Sequence, residues 1–128
     1  MSNLLLDTCV LLWLAQGGGE LSKKTVSEIN KSRFVFTSVI SAWEIGLLCL
    51  KNQIELPIAP EEWFQQITES QDIQVLNLTP EIAFLSNNLP WYHKDPADRF
   101  ILATAISKNL TIVTADKKFS EYPVTVLS

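Results

Sequence analysis

An α/β fold built on a parallel β-sheet is predicted for this chain by two observations. Short apolar runs alternate along the whole sequence with segments whose apolar residues recur at helical spacing, which is typical of βαβ units. The first run, Asn3–Leu6, shows no polar alternation, and this indicates a strand buried on both faces in the middle of a parallel sheet. Because the chain has 128 residues, of which 47% are hydrophobic, we expect one domain, 1–128, with a single core.

Two helices and a second strand are predicted to follow the opening strand. Thr8–Leu14 has an apolar pattern that fits a helix, and the glycines 17–19 end it, because glycine is a natural C-terminal stop. Ser22 can cap a second helix that reaches about Lys31. Phe34–Thr37 is then the next predicted buried strand.

The helix predicted from Val39 to about Leu50 carries an unexpected acidic residue. Its apolar face is predicted from the spacing of Ile40, Trp43, Leu47 and Leu48. At about 100° per residue, Glu44 projects into the middle of that face. A glutamate is seldom buried unless it is paired or binds a metal. An exposed Glu44 would require Trp43 and Leu47 to be exposed with it, so we expect a functional role for Glu44.

Pro57 and Pro60 separate this helix from the second half of the chain. The elements predicted there are a helix carrying Trp63, Phe64 and Ile67, a strand at Gln74–Leu76, a helix from Thr79 to about Asn88, and a last strand at Val124–Leu127. Thr79, Pro80 and Glu81 are typical of an N-cap, a first helical position and an acidic first turn. The loop LPWYHK leads from this part to a further helix and strand.

This further helix and strand are expected to bring two carboxylates to one edge of the sheet. Asp95 and Pro96 fit the N-cap and first position of a helix that ends near Asn109, and the buried strand LTIVT follows. Asp98 lies in the first helical turn, and Asp116 lies just past the strand. Helix N-termini and strand C-termini share the edge of an open α/β sheet at which ligands bind.

Four acids are therefore the candidate catalytic and metal-binding residues: Asp7, Glu44, Asp98 and Asp116. Carboxylates gathered at one edge repel each other unless a cation neutralises them, so the set predicts a hard divalent metal. Mg²⁺ or Mn²⁺ fits best, because both prefer oxygen ligands. Such a site can activate water toward a phosphodiester and stabilise the leaving oxygen. The residues leave open whether one or two ions bind.

Each acid outside the apolar helix also has a purely structural interpretation. Asp95 can act only as a cap that also pairs with Arg99 four residues later, and Asp98 can complete a capping box. Asp7 and Asp116 follow strands, where aspartate is common in turns. The joint occurrence of the acids is more informative than any one of them.

Composition excludes several function classes. The net charge of −4 argues against binding nucleic acid by bulk electrostatics, so any bound nucleic acid would need a local feature such as a bound cation.

His93 is the only histidine, and we interpret it as a loop or packing residue, with substrate contact as the alternative. Cys9 and Cys49 fit no metal spacing and are expected to be free thiols. Asp7 interrupts an N-terminus that fits neither a signal peptide nor a membrane span, so we expect a cytoplasmic protein.

Three stretches together resemble one known family. The chain is similar to the PIN-domain nucleases, and most similar to toxins of the VapC type from type II toxin–antitoxin modules, in LLLDTCVLLW, TSVISAWEIGLLCLKNQI and HKDPADRFILATAISKNLTIVTAD. The resemblance implies a three-layer α/β/α sandwich with a central parallel sheet. It also implies Mg²⁺- or Mn²⁺-dependent endoribonuclease activity. The family's acidic residues map onto Asp7, Glu44, Asp98 and Asp116.

The same resemblance implies partners and supporting residues. It implies RNA as the substrate, a homodimer, and a cognate antitoxin that wraps the toxin and blocks its acidic pocket. Thr114 matches a position at which the family often has a hydroxyl near the metal site, and Asp95 and Arg99 are further candidates for supporting roles. Ala97 is a departure, since close relatives tend to carry a bulkier residue there, but no expected acid is missing.

Two other function classes remain open at this point. A receiver-like, Mg²⁺-dependent phosphoacceptor also places aspartates at strand ends. It would normally have paired acids after the first strand and a lysine ending the last one, whereas only Asp7 follows the first strand and VTVLS has no lysine. A non-catalytic domain that only binds a protein partner would leave the acids free to vary. Hydrolysis by water does not use the ribose 2′-hydroxyl, so the residues alone do not separate RNA from DNA.

Overall fold

A computed structural model describes residues 3–128 and has the predicted α/β architecture. The strands are β1 (Asn3–Leu6), β2 (Phe34–Ser38), β3 (Ile73–Leu76), β4 (Thr111–Val113) and β5 (Val126–Leu127). The helices are α1 (Thr8–Ala15), α2 (Lys23–Lys31), α3 (Val39–Leu50), α4 (Pro60–Ser70), α5 (Pro80–Asn88) and α6 (Pro96–Lys108), followed by a 3-10 helix at Lys117–Glu121. Among residues 3–128, no helix combines the length and apolar character needed to cross a bilayer.

The sheet is fully parallel, with β1 at its centre. Its strand order is β3-β2-β1-β4-β5, and Leu6 is in register with Thr37 on one side and Val113 on the other. The chain winds outward from β1 to β3 and then returns to β4, so the direction of winding reverses between β1 and β4. Ligands bind in open α/β sheets outside the carboxyl ends of the strands at this switch point. A receiver-like protein has the order 2-1-3-4-5, so the observed topology excludes that alternative.

Two hydrophobic cores, one on each face of the sheet, are present where composition had suggested a single core, and they confirm the three-layer sandwich. Leu4, Leu5 and Leu6 are at most 1% exposed, as expected for a strand buried on both faces. Leu5 packs in the core that includes Ile82 of α5 and Leu102 of α6. Its two neighbours point the other way, into the core formed with α1, α2 and α3. Helices therefore cover both faces of β1.

The predicted helix caps are present. Side chains of Ser22, Thr79 and Asp95 accept hydrogen bonds from backbone N–H groups in the first turns of α2, α5 and α6. Asn109 ends α6 in the left-handed conformation, with φ of 55°, which asparagine tolerates better than most residues. The capping chemistry thus fixes where α6, the helix that carries Asp98, begins and ends.

The predicted buried face of α3 is wrong. Trp43 is 57% exposed, and the fully buried side chains of α3 are those of Ser41 and Ile45. The helix is apolar on nearly every side, so its spacing does not define a single face. Glu44 lies three residues after Ser41, on the side of α3 that faces α1. Glu44 therefore reaches the cleft because it lies beside the buried side chains of Ser41 and Ile45, and Trp43 does not need to be buried.

Several strand predictions also need correction. β2 is buried only toward its C-terminal end, since Phe34 is 40% exposed, whereas the strand predicted at Gln74–Leu76 is present as β3 and is one residue longer. Only Val126–Leu127 of the predicted last strand pairs with β4. The 3-10 helix after Asp116 was not predicted. Pairing partners, which set strand length and burial, are not encoded in a local pattern.

Candidate active site

The four predicted acids lie around one cleft at the switch point of the sheet. Asp7 directly follows β1, Asp116 lies beyond the end of β4, Asp98 is in the first turn of α6, and Glu44 projects from α3. The cleft has a volume of about 300 Å³, and its lining includes these four side chains together with those of Asp95, Thr8, Cys9 and Trp13. Residues that are far apart in sequence thus meet at the edge where the fold places ligands.

Asp7 is held at the base of the cleft by hydrogen bonds to both carboxylate oxygens. Its Oδ1 accepts from the N–H of Val10 at 2.8 Å, and its Oδ2 accepts from the hydroxyl of Thr114. The Thr114 hydroxyl in turn accepts from the N–H of Asp116 at 3.0 Å. Burial raises the pKa of the Asp7 carboxyl, although the bond from Thr114 lowers it in part. Thr114 therefore links the two strand-end aspartates.

Asp98 and Asp116 are joined by a residue for which sequence analysis predicted no such contact. The Nε2 atom of His93 lies 2.9 Å from Oδ2 of Asp98 and 2.9 Å from Oδ2 of Asp116. His93 lies in the loop between α5 and α6 and is 7% exposed, so the prediction of a loop or packing residue is confirmed, although its contact with the acidic cluster was not predicted. The one sequence feature that could have indicated this contact is the position of His93 two residues before Asp95, the N-cap of α6. A single histidine in a polar loop gives no periodic pattern to support that signal.

Glu44 approaches the cluster from the opposite side. Its Oε1 atom is buried and has no hydrogen-bond partner among residues 3–128. Burial raises the pKa of the Glu44 carboxyl, and the carboxylates of Asp95 and Asp7 add to this, while the hydroxyl of Thr8 lowers it. An unpartnered buried carboxylate oxygen is costly unless something outside the protein binds it.

Asp95 is both a helix cap and a neighbour of the cluster. Its Oδ1 accepts from the N–H groups of Ala97, at 2.9 Å, and Asp98, at 3.3 Å, as the structural interpretation predicted. Its carboxylate also lies with those of Glu44 and Asp98 in a group whose ligand atoms are all within 4.8 Å of one another. The capping role therefore does not remove Asp95 from the site.

Arg99 does not pair with Asp95 through its side chain. Its guanidinium is buried and donates to the carbonyl oxygens of Ser86, Leu89, Pro90 and His93, and it lies 3.5 Å from the centre of the Trp91 ring. The backbone N–H of Arg99 only continues the helix to Asp95 O at 3.0 Å. The predicted supporting role is thus indirect, because Arg99 fixes the loop that carries His93.

The electrostatics of the cleft favour binding of a cation. Burial, followed by the carboxylates of Asp95, Glu44, Asp7 and Asp116, raises the pKa of Asp98 to about 8. The same surroundings raise the pKa of the Cys9 thiol to about 11, so Cys9 is not a thiolate nucleophile at neutral pH. Each anion in the cleft makes the next one harder to form, and a bound cation would reverse this effect.

The donor atoms fit a hard divalent cation. Within residues 3–128, two groups of three side chains could hold an ion, namely His93, Asp98 and Asp116, and Glu44, Asp95 and Asp98. Asp98 belongs to both groups. Five of the six places are carboxylates, and the unpartnered Oε1 of Glu44 lies in the second group. Oxygen-rich sites of this kind suit Mg²⁺ or Mn²⁺ better than softer metals.

A larger cleft elsewhere lacks such chemistry. It has a volume of about 560 Å³ and is lined by Ala15 and by residues of α4, among which Glu69 is the one ionisable side chain. Size alone therefore does not identify the site, and the convergence of titratable groups does.

Comparison with known proteins agrees with the fold and the motifs. The family model of the PIN domain matches residues 4–124. The chain is 32% identical to Ribonuclease VapC22 of Mycobacterium tuberculosis, over 98% of this chain and 99% of that protein.

Solved structures of toxin–antitoxin complexes share the fold. VapBC2 from Rickettsia felis, bound to a DNA fragment from its promoter, aligns with a TM-score of 0.71 over 98% of this chain and 97% of that chain, at 16% identity. DNA-bound VapBC from Salmonella typhimurium aligns with a TM-score of 0.68 over 99% of this chain and 98% of that chain, at 20% identity. The family model spans nearly the whole sequence, and the relative is similar over its full length, so this chain belongs to the PIN-domain family and is of the VapC type.

Proposed function

We propose that this protein is a metal-dependent endoribonuclease that acts as the toxin of a type II toxin–antitoxin module. The observation that carries the proposal is the convergence of the carboxyl groups of Asp7, Glu44, Asp98 and Asp116 on one cleft, where Glu44 Oε1 is buried without a partner. The similarity to a protein named as a ribonuclease supports the reaction class.

Some side chains of the cleft would bind the cation, and others orient the residues that bind it. Asp98, with Glu44 and Asp95 on one side and Asp116 on the other, would hold Mg²⁺ or Mn²⁺. When bound, such a cation would activate water for attack on the phosphodiester and stabilise the charge that develops on the leaving oxygen. Thr114 fixes the orientation of Asp7 and, through its bond from the Asp116 N–H, the start of the 3-10 helix. Hydrolysis by water is expected to leave a 5′-phosphate and a 3′-hydroxyl.

Substrate and partners follow from the relatives more than from the cleft. Hydrolysis by water does not use the ribose 2′-hydroxyl, so RNA is proposed on the basis of the ribonuclease relative. A cognate antitoxin is proposed because the similar structures are of VapBC complexes, and a homodimer is proposed because the family resemblance implies one. Exposed apolar side chains such as Phe84, at 69%, and Trp91, at 59%, are available for contact with protein partners. We expect the complex to act in the cytoplasm.

The test is a cleavage assay with purified, antitoxin-free protein. A mixed pool of tRNA and rRNA is incubated with and without Mg²⁺ or Mn²⁺, beside the variants Asp98→Asn and Asp72→Asn. Asp72 is a matched control, because it is exposed before β3 and its positive φ of 54° is tolerated by asparagine. We expect discrete, metal-dependent products from the wild type and Asp72→Asn, and none from Asp98→Asn. Intact RNA in every sample of folded protein would refute the nuclease and favour a domain that only binds a partner.

A further inference from the structure

His93 lies between two carboxylates of the cleft. Its Nε2 atom lies 2.9 Å from an oxygen of Asp98 and equally far from an oxygen of Asp116. One nitrogen within hydrogen-bond distance of both acids can either bind a cation with them or donate its hydrogen to them. The contacts on the other side of the ring separate these two possibilities.

The loop around His93 is held firmly from three directions. The N–H of His93 donates to the hydroxyl of Tyr122 at 2.8 Å, and that hydroxyl donates to Pro90 O at 2.6 Å. The carbonyl of His93 accepts from the Arg99 guanidinium at 2.9 Å. The imidazole packs against the ring of Phe119, with 5.5 Å between ring centroids. The position of the imidazole is therefore imposed by the fold.

The second ring nitrogen identifies the tautomer. Nδ1 of His93 accepts a hydrogen bond from the backbone N–H of Asp95 at 3.3 Å. An N–H group only donates, so Nδ1 must present its lone pair, and the hydrogen of the neutral ring is then on Nε2. A nitrogen that carries hydrogen has no lone pair for a metal. In this geometry Nε2–H donates to the carboxylates.

We propose that His93 is a positioning residue whose Nε2–H bridges Asp98 and Asp116 and holds their carboxylates together for the cation. The inference rests on the proposed metal-dependent function. Without a donor between them, two neighbouring carboxylates separate by mutual repulsion. With it, one oxygen of each acid is fixed to the same nitrogen. Groups that bind metal ligands in this way orient them and typically raise metal affinity 10- to 100-fold.

The first measurement observes the histidine directly. Because the chain has a single histidine, untagged protein labelled with ¹⁵N gives one set of imidazole signals in a long-range ¹H–¹⁵N spectrum. We expect the Nε2–H tautomer in the metal-free protein, retained on titration with Mg²⁺. A change to the Nδ1–H tautomer on adding Mg²⁺ would overturn the proposal in favour of His93 as a metal ligand.

The second measurement uses a matched pair of variants. His93→Gln places an amide N–H near the position of Nε2, whereas His93→Met has a similar volume and no donor. We expect the Kd for Mn²⁺, measured by calorimetry without RNA, to rise about 10- to 100-fold in His93→Met and to change less in His93→Gln. Circular dichroism and thermal melting check that both variants fold.

The outcomes distinguish this inference from the proposed function. If the wild type binds Mn²⁺ and both variants bind it as tightly, the bridging role is refuted while the nuclease proposal stands. If both variants lose affinity equally although they fold, the donor is not the cause, and the proposal is again overturned. If the wild type binds no Mn²⁺, the metal-dependent function itself fails, and the bridging role fails with it.

Discussion

The carboxyl group of Asp98 lies among those of Asp7, Glu44, Asp95 and Asp116, and burial together with these neighbours raises its pKa from 3.8 to about 8. Ionising Asp98 in the folded, metal-free protein therefore costs free energy. In the unfolded chain the same group ionises near its ordinary pKa. The residue that belongs to both candidate metal groups is thus also a source of instability when no cation is bound.

This shift predicts how stability depends on pH. The folded-state pKa of Asp98 is raised above its unfolded value. The contribution of Asp98 to the free energy of unfolding is therefore fully present below about pH 4 and is lost as the pH rises toward 8. Asparagine carries no charge, so Asp98→Asn should become progressively more stable than the wild type between pH 5 and pH 8. Chemical denaturation in EDTA at several pH values measures the difference. A constant difference across this range would contradict the raised pKa of Asp98.

The acids could be identified from sequence, whereas the residue that joins two of them could not. Asp7, Asp98 and Asp116 were predicted at the sheet edge because strand ends and helix starts have recognisable local signals. His93 lies in an irregular loop, and its contacts depend on Arg99 and Tyr122, which are distant in sequence or were assigned other roles. Tertiary contacts of this kind have no local signature.

The start of α6 combines a helix cap with a carboxylate of the cleft, and the two roles of Asp95 can be separated. Asparagine caps a helix as well as aspartate does but carries no charge. Alanine neither caps the helix nor carries a charge. Asp95→Ala should lower the free energy of unfolding by about 1 kcal/mol, whereas Asp95→Asn should not. Both variants should bind Mn²⁺ less tightly in calorimetry. Unchanged affinity in Asp95→Asn would show that Asp95 serves only as a cap.

The loop between α5 and α6 depends on Arg99. Lysine cannot reproduce a planar fork that donates to four carbonyl groups, so Arg99→Lys should leave buried acceptors unsatisfied and cost about 2 kcal/mol of unfolding free energy. Because His93 is in this loop, Mn²⁺ binding should weaken as well.

Arg33→Lys is the control for this change. Arg33 is exposed, and its guanidinium carbon lies 5.4 Å from the centroid of the Phe34 ring. Replacing it should cost less than about 1 kcal/mol. Equal losses in the two variants by urea denaturation would argue against the role assigned to Arg99.

The third helix shows where prediction of an element fails. Its existence and bounds were predicted correctly, because a long apolar segment between Ser38 and Lys51 has few alternatives. Its buried face was not, because apolar residues surround the helix and only tertiary packing selects Ser41, whose hydroxyl bonds that of Thr8, and Ile45, which lies in the core shared with α1. Glu44 does line the cleft, as predicted, but the prediction relied on the burial of Trp43, which is exposed.

Strand order lies beyond what a single sequence reveals. The alternation of strands and helices predicted a parallel sheet, and the apolar run of β1 predicted its central position, both of which are confirmed. Nothing local distinguishes the observed order from other doubly wound orders. The switch point between β1 and β4, and with it the place where the acids meet, depends on that order.

Because the acids come from the carboxyl ends of β1 and β4 and from the helices α3 and α6, cation binding should stabilise the whole molecule. Binding only to the folded state adds about 2.7 kcal/mol when the free cation is at 100 times its Kd. Mn²⁺ should therefore raise the Tm of the wild type clearly and that of Asp98→Asn much less, as followed by circular dichroism. Equal increases in both proteins would indicate that Mn²⁺ binds outside the cleft.

The hydrogen bond from Thr114 to Asp7 joins residues 107 positions apart, and it has a consequence for synthesis. A ribosome makes Asp7 and Glu44 early and Asp98, Thr114 and Asp116 late, and β1 cannot obtain its neighbour β4 before then. An unfinished polypeptide therefore contains half of the acids but no complete cleft. The proposed activity can begin only after Asp116 has been synthesised and β4 has paired with β1, which delays any attack on the RNA of the ribosome that is making the protein.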